Sequence, residues 1–192
     1  MLHGTAVEGP FGAFGVVASE RGVRAVAPLA QLPRDTGVRW HAKGASVPAS
    51  LAVAAHWLSR YFAGEQRASW EGALDVPGTP LQLAVWGALR ALPFGATTTY
   101  GALALQLGQP QPGQLQPGRV QGARAVGAAV ARNPVALLVP CHRVLGQGGN
   151  LGVFAWGAPL KRALLLHEGH PPPPPPAQRH LFAGLPLLAV SG

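Results

Sequence analysis

The chain has 192 residues, 48% of them hydrophobic and 11% charged, and its 15 Lys+Arg against 7 Asp+Glu give a formal charge of +8. That length and apolar content support a buried core without disulfides or metals and exclude a wholly disordered protein. A single cysteine excludes an intramolecular disulfide and a multi-cysteine zinc site, and the longest nearly apolar stretch, 181–190, is about half of the roughly 20 residues a spanning helix needs.

Only Lys43 and Lys161 among the basic residues are lysines, so arginine carries the charge. Arginine is the better phosphate fork and the better stacking cation. A positive field on so small a chain points to an anionic partner such as nucleic acid. The competing explanation is base composition, because glycine, alanine and proline are enriched alongside arginine. No charged region followed by an apolar core opens the chain, so neither a secretory signal nor a membrane partner is expected. The lone thiol fits a reducing cytoplasm.

In chain order, 11–18 (FGAFGVVA) and 23–29 (VRAVAPL) are apolar runs joined by Ser19-Glu20-Arg21-Gly22, which predicts two strands and a hairpin turn. Residues 49–62 carry apolar side chains at helical spacing, with Gly64 as a stop. Together these predict a small α+β unit over 1–76. After Val76-Pro77-Gly78, Thr79 reads as an N-cap with Pro80 at the first helical position, and Leu81, Val85, Trp86, Leu89 and Leu92 form one apolar stripe. Residues 97–100 open a second helix running to Leu107. Residues 108–118 are made largely of Gln, Pro and Gly and predict a loop, and 120–132 predict a third helix with an Ala/Gly side. Residues 136–139 (ALLV) predict a short buried strand or extended run delivering Pro140-Cys141-His142-Arg143, and 158–167 predict a closing helix. Six prolines at 171–176 predict an extended segment within a flexible tail over 170–192. The fold class expected is α+β, with a mainly helical domain over 77–169.

Cys141 follows a rigid proline and is flanked by a base, His142, and a cation, Arg143, the surroundings that favour a reactive thiolate. The alternative is a small buried apolar residue. The helices over 97–107 and 120–132, with the loop between, read as a helix-turn-helix whose second helix enters a DNA groove; packing of the Ala/Gly face on another helix is the alternative.

Residues 78–169 resemble the catalytic domain of the O6-alkylguanine-DNA alkyltransferases, also called methylated-DNA–protein-cysteine methyltransferases. The matching stretches are GTPLQLAVWGALRALPFGATTTYGALA at 78–104, RAVGAAVARNPVALLVPCHRV at 124–144 and GVFAWGAPLKRALLLHEG at 152–169. Weaker likeness to the family's N-terminal domain lies in FGAFGVVASERG at 11–22 and YFAGE at 61–65. The resemblance implies a ribonuclease H-like N-terminal domain and a winged-helix or helix-turn-helix C-terminal domain. It implies irreversible, single-turnover transfer of a methyl or small alkyl group from O6-alkylguanine, with O4-alkylthymine as a secondary substrate, to Cys141.

By the same resemblance His142 relays a proton through a bound water toward Glu168, and Asn133 braces the active-site turn. Arg124 fills the gap left by a flipped nucleotide, and Tyr100 meets the base edge and helps rotate the phosphate. Arg143, Val144, Phe154, Ala155 and Trp156 contact substrate or DNA. The partner implied is double-stranded DNA, bound in its minor groove with the alkylated base turned out, by a monomer that needs no cofactor and no metal.

This chain departs from the family pattern in about ten extra residues near 109–118, and in Phe154 and Ala155, which stand where tyrosine and serine are common, so that two hydroxyls are missing. Three other readings compete. They are a non-catalytic alkylated-DNA binding protein, opposed by the retained Cys141, His142 and Glu168; a regulator using only the helix-turn-helix; and a cysteine hydrolase, for which no oxyanion-hole element is visible.

Overall fold

The computed structural model describes residues 1–32, 37–65, 69–108 and 122–170. The predicted Gln/Pro/Gly loop beyond Gly108 and the proline tract lie outside these residues.

The N-terminal half is a four-stranded sheet in the order β3-β2-β1-β4. The hairpin is where the apolar runs place it, as β2 (Phe14–Ser19) and β3 (Gly22–Pro28), paired antiparallel. Two further strands escape the sequence pattern: β1 (Leu2–Val7), antiparallel to β2, and β4 (Val38–His41), parallel to β1. β1 does not alternate cleanly, and β4 alternates over only four residues. On the sheet's outer face Gly15 leaves space that the side chains of Leu29, Leu32 and Trp40 occupy, since a Cβ there would lie 2.3 Å from Leu32. On the inner face Phe14, Val16 and Ala18 are fully buried.

Helix α1 (Ala49–Phe62) covers that inner face with Leu51, Ala54, Leu58, Tyr61 and Phe62. Each large apolar side chain so buried contributes about 1.5–3 kcal/mol.

Helix α2 (Pro80–Arg90) starts at the predicted cap. Thr79 Oγ1 accepts from the Gln82 amide at 3.3 Å while Gln82 Oε1 accepts from the Thr79 amide at 2.8 Å, a reciprocal arrangement worth about 1 kcal/mol. The second predicted helix opens later than its threonines suggest, because Thr98–Thr99 form a short strand, β5, that pairs with β6 (Val144–Leu145) before α3 (Tyr100–Gly108) begins. Helix α4 spans Ala123–Ala131. Its small residues let α2 approach closely enough for Trp86 Nε1 to donate to the Ala129 carbonyl at 3.0 Å. Helix α5 (Ala158–His167) closes the described chain.

Residues 135–139 are not a strand. They form a tight turn in which the Val139 amide donates to the Val135 carbonyl, and Leu137 sits at φ +69°, a strained value for a leucine. The turn leans on β3: Val26 donates to Pro134 at 2.9 Å and accepts from Ala136 at 3.0 Å. One core cluster therefore runs from Val7 and Phe14 through Val85 and Leu103 to Cys141 and Leu164. No helix among the described residues is long and apolar enough to cross a membrane.

Candidate active site

Cys141 opens a single 3-10 turn, Cys141–Arg143, directly after Pro140. Its side chain is almost enclosed, with the residue 7% exposed. Asn133, just past the end of α4, holds the turn from behind. Its Oδ1 accepts from the Val135 amide at 3.0 Å and its Nδ2 donates to the Val139 carbonyl at 2.7 Å. Burial pushes the Cys141 thiol up, while the Asn133 amide, the nearby Lys161 charge and the backbone amides of Cys141 and His142 pull it back down.

The two residues after the thiol in the chain enter a buried polar cluster centred on Glu168, the residue that caps the C-terminal end of α5. His142 Nε2 donates to Glu168 Oε1 at 2.8 Å, and Arg143 grips the same carboxylate with Nε on Oε2 at 2.7 Å and Nη2 on Oε1 at 2.9 Å. The Tyr61 hydroxyl donates to Oε1 at 2.9 Å and the Gly95 amide to Oε2 at 3.2 Å. Gly95 has φ +74°, and a Cβ there would sit 2.8 Å from the Glu168 carbonyl oxygen, so only glycine fits. Burial works against the Glu168 charge, but hydrogen bonds from His142 and Arg143 outweigh it and hold the carboxyl well below its usual range. Burial holds His142 below the ordinary histidine value despite Glu168, with Arg143 and Lys161 acting in the same direction as burial. The cluster is thus a neutral imidazole donating its Nε2 proton to a fixed carboxylate, with Nδ1 left as the acceptor.

Tyr100, at the start of α3, donates to the Val153 carbonyl at 3.3 Å, and Arg124 lies exposed near the start of α4. Both line a groove of about 840 Å³ that also touches Gly127, Gly148 and Val153. A second, far smaller cavity of about 20 Å³ touches Cys141, Asn133, Phe154, Ala155 and Trp156. It has room for about one water molecule and not for a nucleobase. Groove and cavity share Ala131 and Val153 as walls.

The structure thus brings together Cys141, Asn133, Phe154, Ala155 and Trp156 at one cavity, and pairs His142 with Glu168. Val144 is fully buried in β6. Arg143, expected to meet substrate or DNA, is instead turned inward: it is 4% exposed and committed to Glu168 and to the Leu92 carbonyl, 2.6 Å from Nη1. The reason is electrostatic, since a buried carboxylate needs a buried cation beside it.

Three contributors escaped the sequence reading: Tyr61, Gly95 and Lys161. Tyr61 reads as one more member of an apolar helical stripe, and Gly95 as a helix stop. Lys161 offered a signal, being one of only two lysines and standing in the closing helix next to its apolar face. It is fully buried and donates from Nζ to the Val144 and Leu151 carbonyls at 2.6 and 2.5 Å. Burial lowers its pKa to about 8, offset in part by Cys141. Replacing it (Lys161→Met) removes the cation that favours the thiolate. The ultraviolet titration of the only cysteine should then move upward by about one unit; an unmoved titration would show that Lys161 only ties the loop.

A nearly enclosed thiol followed in the chain by a buried histidine–glutamate pair, in a cavity that shares walls with a groove along two helices, is the site of a protein of α+β fold. Residues 80–170 match the family described as 6-O-methylguanine DNA methyltransferase, DNA binding domain. The methylated-DNA–protein-cysteine methyltransferase of Mycobacterium tuberculosis is 34% identical over 165 residues, covering 86% of this chain and 91% of that protein. The enzyme of the same name from Methanosarcina acetivorans is 43% identical over 116 residues, 60% of this chain and 67% of that one. The crystal structure of Mycobacterium tuberculosis OGT in complex with DNA superposes with a TM-score of 0.70 at 34% identity, over 88% of this chain and 95% of that chain. The chain belongs to the methylated-DNA–protein-cysteine methyltransferase family.

Proposed function

We propose that the protein repairs DNA by moving a methyl or small alkyl group from O6 of guanine onto Cys141, once per molecule. The observation that carries this reading is the lone buried thiol with a water-sized cavity on its reactive side and the His142–Glu168 pair that follows it in the chain. In the step, the Cys141 sulfur attacks the alkyl carbon in line with the C–O6 bond. The S–C bond forms as C–O6 breaks, and the electron pair of that bond returns to the purine. The thiol proton leaves through one water to His142 Nδ1, and a donor at the base edge, Tyr100, protonates the departing guanine; Tyr100 then regains a proton from solvent as His142 releases one, so that the net exchange is alkyl for proton. The thioether is stable to water, which makes the event terminal.

An alkyl group on O6 is hidden in the stack, so the base must be turned out of the duplex. In this reading α3 and α4 act as a helix-turn-helix against the minor groove, the β5–β6 pair serves as a rudimentary wing, and the N-terminal sheet is the ribonuclease H-like domain of 1–76. Exposed Arg124 fills the vacancy with its planar cation. The protein acts as a monomer in the cytoplasm on double-stranded DNA, and O4-alkylthymine is a secondary substrate. The base enters from the groove past Val153, which lines both the groove and the thiol's cavity.

The test is intact-mass measurement after incubation with a duplex carrying O6-methylguanine. One methyl per protein, mapped to Cys141, is expected; tight binding with no mass gain would identify a binding protein instead.

Trp156 packs edge-on to Phe154 and Phe14, at 5.2 and 6.4 Å between ring centres, and walls the small cavity. Trp156→Ala should raise the rate with O6-benzylguanine relative to O6-methylguanine by about tenfold, the scale on which pockets discriminate by size. An unchanged benzyl-to-methyl ratio would place the size limit elsewhere.

A further inference from the structure

Tyr61 is fully buried, comes from α1 in the N-terminal half, and reaches 107 positions along the chain to Glu168. The reaction written above gives it no task. We infer that Tyr61 is a positioning residue for the transfer: its hydroxyl fixes Glu168 Oε1 opposite His142 Nε2 and limits how strongly the carboxylate draws on the imidazole. The inference deepens the reading proposed above and rests on it for its kinetic consequence.

The ring alone does not explain the residue. It stacks on Trp57 at 5.5 Å and meets Phe62, Phe94 and His167 at 5.9, 6.1 and 5.2 Å, contacts a phenylalanine would make equally well. A buried hydroxyl is costly unless it is partnered, and the partner here is the catalytic cluster itself. The placement is held at both ends. His167, the neighbour of Glu168, donates from Nε2 to the Tyr61 backbone carbonyl at 2.7 Å, while the Tyr61 hydroxyl returns to Glu168 at 2.9 Å. Helix α1 and the end of α5 are thereby clamped in one register.

On Oε1 the phenol competes with His142 Nε2 and Arg143 Nη2 for the same lone pairs. Each donor spreads the carboxylate charge and leaves less of it for the imidazole. The charged or titratable groups around His142 are Glu168, Arg143, Lys161 and Cys141, of which Glu168 favours its protonation and Arg143 and Lys161 oppose it. Tyr61 acts only through Glu168. Without its hydroxyl, Glu168 pulls harder on His142, the imidazole takes up a proton at higher pH, and the acceptor for the thiol proton is lost sooner as pH falls. The N-terminal half then tunes the chemistry as well as supporting it.

The experiment compares the full chain with Tyr61→Phe. Imidazole nitrogen NMR follows the titration of His142, identified by its loss in His142→Gln, and methyl uptake from an O6-methylguanine duplex is timed across pH. The titration and the acid limb of uptake should both move up by about half a unit in Tyr61→Phe. As a second variant that keeps the ring, 3-fluorotyrosine in a Tyr100→Phe background, which leaves Tyr61 as the only tyrosine, makes the phenol a stronger donor and should move the His142 titration the opposite way relative to Tyr100→Phe alone. A lower melting temperature with unmoved titrations in both proteins would reduce Tyr61 to packing and overturn the inference. If the parent protein gains no methyl group, the repair reading fails, while the histidine titration still decides the role of Tyr61.

Discussion

Cys141→Ala gains no mass from an O6-methylguanine duplex at any pH, yet binds that duplex within about tenfold of the parent protein. The chain has no second cysteine to substitute, and the histidine–glutamate pair has no carbon-accepting role of its own. On the proposed reading, binding survives because DNA is held along the groove lined by Tyr100, Arg124 and Gly127, while the thiol stands in the smaller cavity that shares Ala131 and Val153 with it. The closed site also fixes how the parent's rate depends on pH. Burial raises the thiol's pKa, so the resting sulfur is protonated at neutral pH and inert toward solvent electrophiles. His142 is held below the ordinary histidine value, so its acceptor nitrogen is free at the same pH. Uptake by the parent should therefore rise from mildly acidic to neutral pH as the last His142 protons leave, then level off. A rate that falls across that interval would contradict a neutral histidine as the proton acceptor. Any mass gain by Cys141→Ala would show that another atom takes the alkyl group.

What the sequence revealed of this molecule follows from where its signals are local. Helix α2 is marked by its own Thr79 cap and Pro80, α5 by a short apolar face, and the β2–β3 hairpin by two apolar runs around a turn. All lie where those patterns put them. Strands β1 and β4 carry only weak local marks, β4 alternating over just four residues. One carries Gly4 and His3, the other Arg39 and His41, and they become strands because β2 and β1 offer open edges to pair with. The stretch 136–139 reads by composition as a strand or extended run but is folded over by Leu137 at positive φ and by the pairing of Ala136 with Val26, a long-range contact no window of sequence contains. The site divides the same way. Cys141 and His142 are adjacent and legible, and Glu168 was legible through the family likeness. Arg143 read as a cation for the thiolate or for DNA, and Tyr61 as core, because the partner that gives each its place lies 25 or 107 residues away.

Glu168→Ala should lower stability by about 3–5 kcal/mol, the usual cost of removing one member of a buried ion pair, which is a large share of the roughly 5–15 kcal/mol that holds a domain folded. The loss is not that of one contact. It leaves the Arg143 guanidinium, 4% exposed, facing no counter-charge, and strips partners from His142, Tyr61 and the Gly95 amide together. For a chain of this size the melting temperature should fall by about 10 °C or more. The pH dependence follows from the depressed pKa of the carboxyl. A folded-state value below the unfolded one means that Glu168 stabilises the fold fully above the unfolded value of about 4.3, and that this contribution is lost as pH falls toward the folded value. The gap in melting temperature between parent and Glu168→Ala should therefore be constant near neutrality and should narrow below about pH 4. Glu168→Gln keeps an acceptor for Arg143 but no charge, and belongs between the two. A variant that melts within a degree or two of the parent would mean that Arg143 and His142 find other partners, and the picture of Glu168 as the anchor of both the site and the join between the two halves would have to be given up.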